Sequence, residues 1–210
     1  MAGVLPAEAG QVSERDARQV AEAAREQNWG KPSFGKELFL GRLRLDLIDP
    51  WPQVDPDRSA HADEFLAELK RYLATEVDGR QIERDARIPD EVFRGLAALG
   101  AFGMKIDRKY GGLELSNLDY CRALILTGSV NPALGALLSA HQSIGVPQPL
   151  KTFGTEQQKQ AFLPRLAAGE VSAFLLTEPD VGSDPARLGT IAEPTPDGTG
   201  YRLNGVKLWA

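Results

Sequence analysis

The sequence predicts a mainly α fold, in which a helical-bundle N-terminal domain is followed by the first strands of a β domain. From about Ala60 to Gly169, large apolar residues recur at the spacing of amphipathic helices. After Gly169 the pattern changes to short apolar runs of strand length between turn-rich segments. Because the chain stops inside a predicted strand, we expect a fragment with a truncated sheet. The predicted domains are an arm at residues 1–56, the helical domain at 57–169 and an incomplete β domain at 170–210.

The N-terminal arm is composed of three predicted parts. Residues 1–12 have little apolar surface to pack and predict a tail. Residues 13–29 predict a lightly docked helix with Ser13 as its N-cap. Residues 33–58 are rich in Leu and Phe and are then broken by prolines. We therefore expect this last part to pack on a larger body and to end in an extended linker.

Successive stretches of the helical domain predict helices. In HADEFLAELKRYLATEV, the residues Phe65, Leu69 and Leu73 share one face. PDEVFRGLAALGAFG begins with residues that suit a first helical turn and stops at a glycine. SNLDYCRALILTGSV and NPALGALLSAHQSIG are strongly apolar, so we expect their helices at the centre of the bundle. GTEQQKQAFLPRLAAGE offers Thr155 as an N-cap and ends at Gly169.

Two features predict the β domain. Residues 171–176 form an apolar run that we interpret as a buried strand. In GYRLNGVKLW, Asn204 and Gly205 form a dipeptide that favours a two-residue type I′ turn. A hairpin closed there would pair Leu203 with Val206.

The composition disfavours several classes of function. The chain has 24 Lys and Arg residues against 29 Asp and Glu residues, and no basic stripe with interleaved aromatics indicates nucleic-acid binding. No apolar run reaches the roughly 18–20 residues that a membrane-spanning helix needs. The N-terminal residues lack the pattern of a secretory signal, so we expect a cytoplasmic protein.

Cysteine and histidine do not indicate a metal site. Cys121 is the sole cysteine and stands in an apolar helical stretch, so we expect a buried, inert thiol. His61 and His141 lie far apart in the sequence without clustered ligands. His141 stands on an apolar helix, where a core histidine is favoured over a substrate contact.

The segment FLLTEPDVGSD, residues 174–184, is the principal candidate site. Thr177 places a hydroxyl where a predicted strand ends, and Pro179 cannot continue a strand ladder. The turn at 182–185 offers backbone amides and the Ser183 hydroxyl to an oxygen-rich ligand. The alternative is that these polar groups only bind neighbouring backbone amides. Neither G-x-G-x-x-G after a strand nor G-x-x-x-x-G-K-[ST] is present.

Four ordered windows together resemble the acyl-CoA dehydrogenase family. FLLTEPDVGSD and YRLNGVKLWA are similar to the entry of that family's middle domain. LGAFGMKIDRKYGGLELSN resembles the helix and turn before its Tyr-Gly-Gly, and FGTEQQKQAFLPRLAAGE resembles its last helix before the sheet. The resemblance covers residues 60–210. The preceding SFGKELFLGRLRLDLIDP resembles the N-terminal extension of the long-chain members.

The resemblance implies an FAD enzyme that desaturates an acyl-CoA at its α–β bond. Family members bind FAD between the helical domains and the β domain, pass electrons to an electron-transfer flavoprotein or a similar acceptor, and form homo-oligomers. The resemblance implies that Thr177 hydrogen-bonds the flavin's pyrimidine edge and that Ser183 also contacts the substrate. The implied cofactor-binding residues are Phe174, Leu176, Thr177, Gly182, Ser183, Trp209 and Ala210.

Departures from the family pattern leave alternatives open. The family's catalytic base is a carboxylate in a later helical domain, so we assign no catalytic residue to this chain. The resemblance gives Glu178 and Asp184 structural roles in the loop. Asp107 stands where proline is commoner, and Asp180-Val181 replaces a pair of small residues. The alternatives are an acyl-CoA oxidase or flavin monooxygenase of the same fold, and a non-catalytic remnant or interaction module.

Overall fold

The computed structural model of the chain describes residues 32–50 and 56–209 and the single positions 15 and 19, with backbone only for 56–59. The predicted tail, most of the helix predicted at 13–29, and Ala210 lie outside the described residues. Two structural units are distinguished, one comprising Gln53–Phe174 and the other drawn from the residues before and after it. The mainly α fold class is confirmed, with the strands confined to the second unit.

The helical unit consists of successive α-helices, with a longer connection between residues 98 and 117. Their bounds are α2 Pro56–Glu76, α3 Gly79–Asp85, α4 Asp90–Ala98, α5 Asn117–Val130, α6 Pro132–Ser139, α7 Pro147–Phe153 and α8 Glu156–Ala167, after α1 Phe34–Phe39 in the arm. A π-helical turn, Ala140–Ile144, follows α6 directly, and short 3-10 turns occur at Ala101–Gly103 and Arg108–Tyr110.

Two helices, α6 and α8, begin at residues whose side chains cap them. The Thr155 hydroxyl accepts a hydrogen bond from the backbone N–H of Gln158, and the side-chain oxygen of Gln158 accepts one from the backbone N–H of Thr155. The predicted N-cap of α8 is therefore a full capping box. Asn131 accepts from the backbone of Ala133 at the start of α6, while its amide donates to the carbonyl of Gly79. One side chain therefore fixes the start of α6 and ties it to α3.

The start of α2 differs from the prediction. Pro56 was expected within an extended linker, yet it is the first residue of a helix of 21 residues. The first turn of a helix has no intrahelical use for a backbone N–H, so proline is well accommodated there. The predicted apolar face is confirmed, since Phe65, Leu69 and Leu73 are all buried.

The core of the helical unit surrounds a buried segment at residues 101–106. Phe102 is completely buried, with its ring centroid 4.7 Å from that of Phe93 on α4 and 5.4 Å from that of His141. His141 is 1% exposed, so the prediction that it is a core residue agrees with the structure. Leu134 and Leu138 of α6 complete the same cluster.

Helix α5 is less central than the sequence predicts. Ala123 and Thr127 are buried against the core, but Ile125 is 70% exposed on the opposite face. Cys121 is also exposed, so the prediction of a buried thiol is wrong. The apolar composition of this stretch does not indicate which of its faces is buried, and α5 buries only one.

The arm carries several exposed apolar side chains. Phe39 is 94% exposed and Leu43 is 65% exposed. The packing of this arm on a larger body stays a prediction.

The β hairpin closes at a different turn from the predicted one. Strand β1, Ile191–Pro194, pairs antiparallel with β2, Tyr201–Asn204, with Ile191 opposite Asn204. Asp197 accepts hydrogen bonds from the hydroxyls of Thr195 and Thr199, and Gly198 has φ of 68°. The Pro-Asp-Gly turn thus has both the carboxylate cap and the left-handed glycine that a tight turn requires.

Gly205 serves a purpose other than the predicted turn. A Cβ there would overlap the side chain and backbone of Thr190, because the chain passes close to Thr190 just beyond β2. The glycine permits close approach of two segments. The pairing predicted between Leu203 and Val206 is consequently wrong.

Among the described helices, none combines the length and hydropathy required to cross a membrane.

Removing the Phe102 side chain tests the assignment of the core. We expect Phe102→Ala to lower the free energy of unfolding by about 3–5 kcal/mol, because the buried ring leaves a cavity in contact with α4 and the π-helical turn. Urea denaturation followed by circular dichroism measures this change. The control Ile125→Ala removes an exposed side chain and is expected to change stability by less than about 0.5 kcal/mol. Equal losses for both variants would contradict the assignment.

Candidate functional site

The segment that leads into the candidate site is not a strand. Residues 171–177 have no regular secondary structure, and Val171 and Phe174 are 51% and 53% exposed. The prediction of a buried strand at 171–176 is therefore wrong. An apolar run becomes a strand only where a neighbouring strand can satisfy its backbone, and no described strand pairs with this run.

A tight turn follows Thr177. The backbone N–H of Glu178 donates to the carbonyl of Val181 at 3.0 Å, and the N–H of Val181 donates back to the carbonyl of Glu178 at 3.1 Å. Pro179 occupies the second position of this turn, where its fixed φ is favourable. Val181 is 8% exposed and anchors the turn, leaving Gly182 and Ser183 exposed beyond it.

The Glu178 carboxylate organises the loop. It accepts hydrogen bonds from the backbone N–H groups of Gly189 at 2.7 Å and Thr190 at 3.0 Å. It also accepts from the Thr190 hydroxyl at 2.5 Å and from the Lys207 ammonium at 2.8 Å. Because its oxygens are engaged by these partners, the Glu178 carboxylate is not available for proton transfer. It links its own segment to the segments that contain Thr190 and Lys207.

The same contacts determine the charge of Glu178. The hydrogen bond from Lys207, followed by those from Thr190 and Gly189, lowers the pKa of Glu178 from 4.5 to about 2. Hydrogen bonds that stabilise the ionised form have this effect. Glu178 is therefore ionised at neutral pH. Its partner Lys207 additionally donates to the carbonyl of Leu176 at 3.3 Å.

The structure brings the two ends of the candidate site together in the second unit. The backbone N–H of Leu208 donates to the carbonyl of Thr177 at 2.9 Å. Trp209 follows immediately, with 89% of its surface exposed and φ of 60°, in the left-handed region that is uncommon for a large side chain. Leu176 and Thr177 are half-buried.

The hydroxyls of Thr177 and Ser183 remain available to a ligand. Within the part of the chain that the structure describes, neither hydroxyl has a hydrogen-bond partner. Asp184 does have an interaction, so it is not a free acceptor. Phe174 is the last residue of the helical unit, and its side chain is half exposed.

Two residues of this arrangement were not assigned a site role from the sequence. Lys207 and Thr190 bind the Glu178 carboxylate from positions 29 and 12 residues away. The only sequence signal is a lone acid before a proline and a lone lysine near a tryptophan, which does not indicate that the two side chains meet. No group of three potential metal ligands occurs among the described residues.

Replacing Glu178 tests its role in the loop. We expect Glu178→Gln to speed amide hydrogen exchange at Gly189 and Thr190, because a neutral amide oxygen is a weaker acceptor and leaves Lys207 without its counter-charge. Since the folded-state pKa is depressed, the stabilisation from Glu178 is fully present above pH 4.5 and is lost as the pH falls through about 2. In Glu178→Gln, the free energy of unfolding should no longer contain this pH-dependent contribution.

Glu193→Gln is the matched control for that experiment. Glu193 lies exposed on β1 and contacts Asn204 at 3.5 Å. Unchanged exchange at Gly189 in Glu178→Gln, or equal effects of the two variants, would exclude the organising role.

Comparisons with known proteins agree with the family resemblance in the sequence. The family model described as acyl-CoA dehydrogenase, N-terminal domain, matches residues 59–170, more than half of the chain. The probable acyl-CoA dehydrogenase FadE10 of Mycobacterium tuberculosis is 58% identical over 199 residues, which are 95% of this chain and 30% of that protein. The mitochondrial very long-chain specific acyl-CoA dehydrogenase of Homo sapiens is 38% identical over 179 residues, which are 84% of this chain and 27% of that protein.

A solved structure supports the same assignment. The acyl-CoA dehydrogenase complexed with FAD from Bacillus anthracis matches with a TM-score of 0.59 and 26% identity, over 75% of this chain and 29% of that one. The chain thus spans about 30% of the length of the curated relatives it matches. The family model and the identity to these relatives together show that this chain belongs to the acyl-CoA dehydrogenase family.

Proposed function

We propose that the protein containing this chain is an FAD-dependent acyl-CoA dehydrogenase that introduces an α,β double bond into fatty acyl-CoA thioesters. Membership of the family supports the general reaction. The single observation that carries the proposal is the surface around Thr177, whose free hydroxyl lies one residue from the Glu178 anchor. The exposed Trp209 ring stands one residue beyond the backbone bond from Leu208 to Thr177.

The chemistry of this surface fits FAD. An isoalloxazine ring has broad apolar faces and a polar pyrimidine edge, so it needs an aromatic or aliphatic contact and a hydrogen-bond donor. Trp209 and Leu176 supply the apolar contacts, and the Thr177 hydroxyl supplies a donor without introducing a competing base. A side chain at Gly182 would meet nothing, so the loop is open there to a ligand.

In this proposal, each part of the loop has a separate task. Thr177 donates to the pyrimidine edge, and Ser183 contacts both the cofactor and the acyl-CoA. FAD supplies the hydride acceptor when it is bound. Glu178 and Lys207 keep Thr177 and Trp209 adjacent. The cofactor-binding set is Phe174, Leu176, Thr177, Gly182, Ser183, Trp209 and Ala210.

The wider assignment follows from the family. The catalytic base is expected from a carboxylate outside this chain, so residues 1–210 alone should have no turnover. We propose fatty-acid β-oxidation in the cytoplasm as the setting and an electron-transfer flavoprotein or similar protein as the electron acceptor. We also propose a homo-oligomer, and we assign residues 57–169 and 170–210 to the helical domain and the start of the β domain.

The reaction is tested on the full-length protein that contains this chain. We expect the purified protein to carry FAD and its visible absorption to bleach anaerobically on addition of a saturated fatty acyl-CoA, because reduction of the flavin accompanies desaturation. Mass spectrometry should detect the trans-2-enoyl product. A flavin that is not bleached by acyl-CoAs of any chain length would contradict the dehydrogenase. Rapid reoxidation by oxygen with formation of hydrogen peroxide would identify the oxidase alternative.

The contribution of the Thr177 hydroxyl is tested by affinity. We expect Thr177→Val to raise the dissociation constant for FAD by roughly 5-fold, because one hydrogen bond to the ring is lost while side-chain volume is kept. Fluorescence titration of the apoprotein with FAD measures the change. Thr199→Val provides the control, since the Thr199 hydroxyl binds Asp197 in the hairpin turn. An unchanged dissociation constant in Thr177→Val would exclude the proposed contact.

A further inference from the structure

A buried histidine in the helical unit contacts the segment that leads towards the candidate site. His141 lies in the π-helical turn and is 1% exposed, with its ring edge-on to Phe102 at an interplanar angle of 79°. The backbone N–H of Ser172 donates to its Nδ1 at 3.2 Å. Because a backbone N–H can only donate, Nδ1 is the acceptor and the neutral ring carries its proton on Nε2.

The Ser172 hydroxyl adds a second connection between the same elements. It accepts a hydrogen bond from the backbone N–H of Val146 at 3.1 Å. The hydroxyl oxygen lies 3.1 Å from Nδ1 of His141 and 3.5 Å from the His141 carbonyl oxygen, and both atoms are acceptors within reach of its proton. Ser172 is therefore bonded both to the π-helical turn, through His141, and to Val146, the N-cap of α7.

Gly145 makes this close approach possible. A Cβ at position 145 would overlap the carbonyl oxygen of His141 and the hydroxyl oxygen of Ser172. Gly145 has φ of −69°, which any residue adopts, so the restriction is one of space and not of backbone conformation. The absence of a side chain lets the segment at 171–174 lie against the turn.

These contacts are the segment's only hydrogen bonds in the described structure. Residues 171–175 form no ladder, and apart from the bonds of Ser172 none of them has a hydrogen bond among the described residues. Phe174 follows Ser172 by two residues. Without the anchor, an extended segment with half-exposed side chains would sample many conformations.

We propose that His141 and Ser172 are positioning residues for cofactor binding. The acceptor Nδ1 and the Ser172 hydroxyl fix the conformation of residues 172–174, and so present Phe174 to the flavin in one orientation. This inference rests on the proposed function, which assigns Phe174 to the flavin site. Neither His141 nor Ser172 touches the reacting atoms. The gain in FAD affinity comes from ordering residues 172–174 before the cofactor binds, because this reduces the conformational entropy that is lost on binding.

The competing explanation is that His141 only fills the core beside Phe102. Two substitutions of His141 distinguish these explanations. Both remove the imidazole ring, but only one of them also removes the hydrogen-bond acceptor for Ser172. His141→Asn retains an oxygen near the position of Nδ1, whereas His141→Leu has a similar bulk without any acceptor. Ser172→Ala changes a half-buried residue without creating a large cavity.

The experiment measures FAD binding and local order in the full-length protein. We expect His141→Leu and Ser172→Ala to raise the dissociation constant for FAD by about 5-fold to 10-fold, the effect of one neutral hydrogen bond. The amides of residues 172–174 should exchange faster in both variants. His141→Asn should stay within about 3-fold of the wild type because its side-chain oxygen restores the acceptor.

Leu134→Ala is the control for a general loss of core packing. Leu134 is buried in α6 and is not bonded to Ser172, so this variant should lose stability but keep the FAD affinity and the exchange rates at 172–174. Equal behaviour of His141→Leu and His141→Asn, or FAD affinity unchanged in Ser172→Ala, overturns the positioning role while the proposed function stands. A wild-type protein that does not bind FAD overturns both.

Discussion

The helical unit depends on burying a short segment that is not part of any long helix. Ala101, Phe102, Gly103 and Met104 are all buried, and their backbone polar groups would be costly to leave unpaired. Gln142 resolves this: its amide donates to the Ala101 carbonyl at 3.0 Å and its oxygen accepts from the Lys105 N–H at 2.8 Å. The core can close around Phe102 because the completely buried Gln142 side chain pairs both ends of the segment, while the backbone N–H groups of Leu113 and Leu115 donate to the carbonyls of Gly103 and Met104.

The π-helical turn follows from the same requirement. Gln142 must face residues 101–105, while its neighbour His141 also points inward to pack against Phe102. A wider turn allows two consecutive side chains to share the interior. Single π-helical turns within helices are frequently found at functional sites. Packing of the core and placement of the Ser172 anchor are thus consequences of one local departure from α-helical geometry.

The sequence predicts the helices well because their information is local. The face of α2 that carries Leu69 and the cap at Thr155 both follow from spacing within one helix. The β region required non-local information. Both Asp197-Gly198 and Asn204-Gly205 favour a turn, and only the position of Thr190 beside Gly205 excludes the second. Likewise, the run at 171–176 lacks a neighbouring strand, which periodicity cannot reveal.

In the candidate site, too, some features follow from the sequence and others depend on tertiary structure. The resemblance to a family placed Thr177 and Trp209 in one site, and the structure joins their segments through Leu208. The ion pair that holds those segments was not predictable, because Glu178 and Lys207 are separated by a hairpin whose register the sequence did not determine. Long-range charge pairing depends on tertiary geometry, while motif order is preserved in the linear chain.

The exposed thiol of α5 has a practical consequence. Cys121 is the single cysteine of the 210 residues and is solvent-accessible, so a fluorophore or nitroxide would attach to this chain at one defined point. The adjacent Tyr120 hydroxyl lies 2.8 Å from the Ser143 hydroxyl of the π-helical turn. A reporter group on Cys121 would therefore be next to a residue that contacts this turn, and would allow its motion to be followed spectroscopically without any engineered cysteine.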